Sequence, residues 1–292
     1  YVNKLDKYVL FYAKSTVKDE FDTPNNSFYF TIHPYSDVST YFITFDSSIG
    51  EKKRITERES IESENAEESR FAKDFVLHKR ELVNLLGSGR NWFGESFSMS
   101  SNQNSFPLSL QGISNQHPTK ITLCLVNESS NPVSFTCKIG STEIGQVNIT
   151  SKHDDYAAQL STKEFYTTIS NESPTLLLQF NGNSNVDKGR LDYILVNYTK
   201  KLRFNNSALK IYSHKSEELN KKTCYVVENV RTNNIKIWDV TNQNDIYSIT
   251  DFQRGDNNEL RVIIPNDTLR TLYVFSSTSF PTPILKGKVE NQ

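Results

Sequence analysis

The sequence predicts an all-β protein, a β-sandwich or jelly roll with additional small β subdomains. Three observations lead there. Tyr and Phe dominate a 12% aromatic content, and such rings fit pleated, half-buried surfaces. Segments of alternating polarity recur at roughly ten-residue spacing beyond residue 97. Polar turn-rich stretches separate them, as between the short strands of a sandwich.

Taken in order, residues 1–50 carry strand candidates at 8–12, 28–32 and 41–45, too few to bury themselves, so this segment is expected to pair with strands elsewhere. Residues 51–70 hold seven Glu and five Lys or Arg, which leaves little apolar surface to offset ordering, and they read as a charged linker or loop. Residues 71–215 form the sandwich domain. A strand at 71–77 and one short helical turn at 81–86, capped by Gly87, lead into it. Strands follow at 121–126, 133–139, 144–149, 156–160, 165–169 and 176–180. Residues 191–198 are apolar on both faces and read as a central strand or one trapped beneath another element. Residues 216–292 form a C-terminal β subdomain, with strands at 224–227, 235–240, 260–264 and 272–276.

The chain is organised around residues 87–97, GSGRNWFGESF, which hold three of eleven glycines and one of two tryptophans. Gly89 and Gly94 permit a bend, and Trp92 and Phe93 anchor it by burial at a junction between β units. A packed corner is weighed above a ligand pocket, because apolar aromatics are mostly core.

Charge and motifs exclude several function classes. With 33 basic and 34 acidic residues the net charge is −1, so nothing draws the chain to nucleic acid. No apolar run reaches the length of a membrane-spanning helix. Cys124, Cys137 and Cys224 suit neither a disulfide framework nor a metal knuckle and read as buried apolar residues, with no bond expected between Cys124 and Cys137. The five histidines, His33, His78, His117, His153 and His214, stand apart, outside any HExxH motif. Residues 181–187, NGNSNVD, space oxygen side chains as a calcium loop does, yet lack its glycine and distal glutamate, so a polar turn is preferred. Arg254-Gly255-Asp256 also reads as a turn. No catalytic, cofactor-binding or metal residue is assigned; the structural motif is Gly89, Arg90, Trp92, Phe93, Gly94, Glu95 and, further on, Trp238.

Four segments in order, residues 78–95 (HKRELVNLLGSGRNWFGE), 191–198 (LDYILVNY), 237–241 (IWDVT) and 289–292 (VENQ), resemble the gingipain-like cysteine peptidases. The resemblance covers most of the chain from about residue 28, including Pro34-Tyr35-Ser36-Asp37. It implies the non-catalytic β region ahead of a caspase-like peptidase domain. The catalytic His and Cys would lie beyond this sequence, which begins at Tyr1 and reads as a piece of a longer protein. The implied parent is a bacterial cell-surface peptidase that cleaves C-terminal sorting signals and attaches secreted proteins to the surface. Its implied partners are its own peptidase domain, secretion-system proteins and cargo C-terminal domains. The alternatives are a carbohydrate-binding jelly roll using Trp92, Trp238 or Tyr193, and a surface adhesin.

Overall fold

The computed structural model describes residues 2–3, 8–43, 54–59, 66–213, 221–265, 267–276 and 280–288. In chain order its strands are β1 (Val2–Asn3), β2 (Tyr8–Val9), β3 (Val17–Asp22), β4 (Ser27–Ile32), β5 (Thr56–Arg58), β6 (Ala66–Ser69), β7 (Phe71–Lys79) and β8 (Ser96–Ser98). Next come β9 (Gln103–Pro107), β10 (Thr119–Asn127), β11 (Val133–Ile139), β12 (Thr142–Ile149), β13 (Gln159–Thr167), β14 (Thr175–Asn181) and β15 (Lys188–Lys201). The remainder are β16 (Leu209–Tyr212), β17 (Lys222–Val227), β18 (Ile235–Asp239), β19 (Tyr247–Ile249), β20 (Gln253–Gly255), β21 (Glu259–Pro265) and β22 (Thr271–Ser276). One 3-10 turn, Asp256–Asn258, is the sole helical element among the described residues. The all-β expectation therefore holds.

The chain divides into two compact units, one of Phe11–Gly50 and Arg70–Lys201, the other of Tyr1–Leu10, Glu51–Ser69 and Leu202–Gln292. The first is a sandwich. One sheet runs β13-β10-β15-β7, with β8 also on β15; the other runs β12-β11-β14-β9. Alternation places Ile121, Leu123 and Leu125 of β10 in one core with Phe135 and Cys137 of β11 and Leu176, Leu178 and Phe180 of β14. Phe97, Phe135 and Phe180 meet edge to face at 5.1 and 5.2 Å, the arrangement ring quadrupoles favour.

On β15 the alternation changes phase. Cys124 pairs with Tyr193 while Leu125 pairs with Leu191, so Asp192 is the extra residue of a bulge. Before it Leu191 faces the core; after it Ile194, Val196 and Tyr198 do. A one-residue bulge exchanges the faces of everything beyond it. The opposite face of this sheet is covered by the β3–β4 hairpin. Phe28 packs on Phe75 at 5.1 Å and Phe30 on Tyr193 at 5.0 Å. Strand β15 thus lies beneath another element, as its two apolar faces imply, but the opening segment reaches the sheet by side chains: β3 and β4 form a two-stranded sheet of their own.

The second unit has three sheets among the described residues, β20-β21-β17-β6, β16-β22-β18-β19-β5 and the two-stranded β1-β2. Tyr225, Val226, Ile237, Leu260, Val262, Leu272 and Val274 are buried in it.

Several local expectations need correction. The charged run 51–70 is not all linker, since β6 pairs in parallel with β17 and β5 with β19 at sheet edges. An edge strand needs only one ladder of partners and leaves charged side chains in water; Arg58 lies over the Tyr247 ring at 3.9 Å and Arg261 meets Glu68 at 2.9 Å. Compact units change at Lys201/Leu202, ahead of the boundary drawn at 215, and both incorporate parts of residues 1–70. Residues 81–86 form no helical turn: Val83 bridges Phe93 instead. The Asn84 Oδ1 accepts from the Leu86 and Ser88 amides at 3.1 and 3.2 Å, which turns the chain locally. The two short strands expected at 156–160 and 165–169 are replaced by one, β13. Residues 41–43 are not strand; the Tyr41 hydroxyl instead accepts from the Lys14 amide at 2.6 Å. His214, residues 44–45 and Val289 to Gln292 lie outside the described residues.

Candidate functional site

The corner at residues 87–97 is built by pairing, with glycine where the backbone demands it. Phe93 exchanges backbone hydrogen bonds with Val83, its amide donating at 2.9 Å and its carbonyl accepting at 3.0 Å. Gly89 has φ +81°, a region most side chains avoid. At Gly94 the requirement is space: an added Cβ would sit 3.2 Å from the Leu191 carbonyl oxygen and 3.3 Å from that of Arg80. That closeness lets the Gly94 amide donate to Leu191 at 2.8 Å and the Glu95 carbonyl accept from Leu191 at 2.9 Å. The next residues continue into β8, which pairs with the start of β15.

Charged side chains strap this corner to β7 and β15. The Lys79 ammonium donates to the Trp92 carbonyl at 2.7 Å and to the carboxylate of Asp192, the bulged residue. Glu95, whose side chain is 16% exposed, meets His78 at 3.0 Å and Arg80 at 3.4 Å. The His78 ring packs on Phe106 at 5.0 Å, so the imidazole is part of the packing as well as a partner of the carboxylate. Arg90 donates to the Tyr35 hydroxyl at 2.7 Å and lies 5.4 Å from the centre of that ring, bringing the PYSD turn against the corner.

The two aromatic anchors differ from expectation. Phe93 is buried, but Trp92 is 40% exposed, with Tyr35 at 76% and Leu86 at 73%. In a two-residue bridge successive side chains point to opposite faces, so burying Phe93 turns Trp92 outward. Trp238 belongs to the other unit, where it is buried edge-on against Phe275 at 5.0 Å. Beside it the buried Asp239 accepts from Arg270 at 2.9 Å and from the Thr241 amide at 3.0 Å. The motif residues therefore serve two separate packing sites.

The remaining candidates are structural in their geometry. Asp187 is fully buried, and its Oδ2 accepts from the Asn183 and Ser184 amides at 2.8 Å each while Oδ1 accepts from Asn131 at 3.1 Å. The carboxylate closes the NGNSNVD turn upon itself. Arg254 donates to the Val230 and Thr232 carbonyls at 3.4 and 2.8 Å, which holds the arginine of the RGD tripeptide against the protein. All three cysteines are free and buried. Burial pushes the Cys124 and Cys137 thiols up to about 12, and burial raises Cys224 as well. Nucleophilic sulfur is the thiolate, which these positions suppress at neutral pH. Among the described residues no group of three or more His, Cys, Asp or Glu could hold a metal ion, and no helix is long and apolar enough to cross a membrane.

Fold and site define a multi-sheet β protein with a glycine-aromatic corner strapped to its central strand. Its fold is similar to that of dimeric latent PorU from Porphyromonas gingivalis, with a TM-score of 0.79, 17% identity and coverage of 97% of this chain. The chain spans 27% of the length of that protein. Two carbohydrate-binding structures match at much lower similarity. One is the CBM36-1 domain of a multidomain xylanase from the hindgut metagenome of Trinervitermes trinervoides, with TM-score 0.31, 12% identity, 42% of this chain and 95% of that one. The other, a CBM36 module in complex with calcium and xylotriose, has TM-score 0.29, 12% identity, 41% of this chain and 97% of that one. No family model and no curated protein matches the chain.

Proposed function

We propose that this chain is the non-catalytic β region of a PorU-type sortase, a gingipain-like cysteine endopeptidase of the type IX secretion system. Its role is to position the peptidase domain at the bacterial cell surface, in reach of secretion partners and cargo C-terminal domains. The observation that carries the reading is the likeness to PorU over 97% of the chain. The ordered segments 78–95, 191–198 and 237–241 support it. So does the placement of the conspicuous groups: Phe93, Gly94, Glu95 and Trp238 are committed to packing, and the cysteine thiols are buried. The parent performs the cleavage in this reading, and this portion is scaffold. The test compares thiol-dependent hydrolysis of a peptide bearing a C-terminal sorting signal by this chain and by its full-length parent. Activity confined to the parent is expected; activity in the isolated chain, or none in either, contradicts the proposal.

A second reading, a glycan-binding surface, is favoured by the exposed Trp92 beside the Arg90–Tyr35 pair, since flat exposed rings stack on sugars. The two tryptophans make it separable. Trp92 fluorescence would be quenched by iodide and protected by a bound glycan, while the buried Trp238 would respond to neither.

A further inference from the structure

The unit comprising Leu202–Gln292 contains an open polar cleft of about 520 Å3. Arg203 and Arg231 line it, both exposed. Neither makes an ion pair or a side-chain hydrogen bond among the described residues. Unpaired arginines are ordinary on a surface; these two line one cleft. Asn229, Asn257 and Asn258 also line the cleft, and all three have left-handed backbones, with φ of 63°, 59° and 61°. Asn tolerates that region better than other non-glycine residues because its short amide bonds locally, so the three asparagines make the turns that line the cleft.

The holding contacts are visible. The Val230 amide donates to the Asn258 carbonyl at 2.8 Å, joining the two loops. Asn229 Nδ2 donates to the Phe204 carbonyl at 2.9 Å. Arg254 donates to the carbonyls of Val230 and Thr232. A parallel bridge joins Arg203 to Glu228 through the backbone. The scaffold is thereby fixed, and two guanidinium groups with the exposed Asn257 and Asn258 amides remain to meet a ligand. The acids lining the cleft are Glu228 and Glu259, and Glu259 is drawn to Arg261 at 3.6 Å.

We propose that this cleft binds a small oxyanion-bearing ligand, a phosphate monoester or a carboxylate, gripped by the forks of Arg203 and Arg231. Guanidinium groups match both oxyanions in bidentate geometry. The site is distinct from the corner at residues 87–97 and stands whether or not the sortase reading does.

Calorimetric titration of the purified chain with inorganic phosphate and with citrate, at low ionic strength, tests it. Saturable binding that weakens with added salt is expected, and the tighter of the two anions identifies the chemistry preferred. Arg203→Gln and Arg231→Gln should each lower the affinity about tenfold or more, as loss of a charged hydrogen-bonding partner does. Glu228→Gln, which removes a competing carboxylate, should raise it. Both arginines are exposed, so unchanged melting temperatures would show that the loss is one of binding. Absence of binding by either anion at millimolar concentration overturns the proposal. So does binding that survives both arginine substitutions.

Discussion

The buried side-chain amide of Asn197 occupies both backbone groups of Phe28, accepting from its N–H at 2.6 Å and donating to its C=O at 3.0 Å. These residues lie 169 positions apart in the chain. The pairing fastens the β3–β4 hairpin to β15 as a strand would, but through one side chain. Replacing Asn197 by Leu leaves the Phe28 amide and carbonyl to be satisfied elsewhere, at a cost of about 1–3 kcal/mol. Urea denaturation measures the loss. Faster hydrogen exchange confined to the hairpin amides would show where it arises.

The corner gives an internal contrast. Phe93→Ala empties a buried site and should cost about 3–5 kcal/mol, whereas Trp92→Ala, at a half-exposed position, should cost well under half as much. Gly94→Ala brings a methyl group against two carbonyl oxygens and should cost about 1–3 kcal/mol through displacement of β15 from the corner. Equal losses at Trp92 and Phe93 would refute the outward orientation of Trp92.

Much of this was legible beforehand. Strands β10, β11, β14, β21 and β22 follow from alternation, because each has one face in a core. The phase change on β15 was not legible as such: LDYILVNY reads as apolar on both faces, while the bulge at Asp192 is fixed by its pairing with β10. Strands β5 and β6 were hidden because edge pairing uses backbone groups and leaves no hydrophobic pattern. At the corner, spacing indicated tight glycines and a packed ring, but burial of both aromatics does not follow from adjacency. The partners that strap it, Lys79, Asp192 and Tyr35, come from other segments and carry no local signal. The same holds for Arg270, which reaches Asp239 from 31 positions away.

That second ion pair predicts its own deletion. Arg270 and Asp239 side chains are 14% and 7% exposed, so Asp239→Ala leaves the half-buried guanidinium with the exposed Asp267 as its remaining ion-pair partner. A loss of about 1–3 kcal/mol is expected, the cost of leaving one guanidinium donor unmet while Asp267 keeps the charge paired. Thermal melting detects it, and Asp239→Asn should recover part of it by keeping an acceptor for the Thr241 amide.

The buried thiols make alkaline stability a measurable consequence. Cys124 and Cys137 titrate at about 12 in the folded chain against a reference of 9.0. Above the reference value the unfolded chain releases protons that the folded one retains, so stability is intact below about pH 9 and falls as pH rises toward 12. Each thiol contributes up to about 1.4 kcal/mol per pH unit across that window. Cys137→Val should flatten the decline measured by denaturation at several pH values, and Ellman's reagent should react with the native protein only as it unfolds.

The central claim, that this chain is the β region of a gingipain-like sortase, is tested most directly by reading the coding frame beyond Gln292 and labelling its full-length product with a thiol-directed peptide probe. A His-Gly pair and a downstream Cys are expected in that frame, with the probe attached to that Cys and to none of Cys124, Cys137 or Cys224. A frame that closes without them, or a probe that labels one of these three, would contradict it.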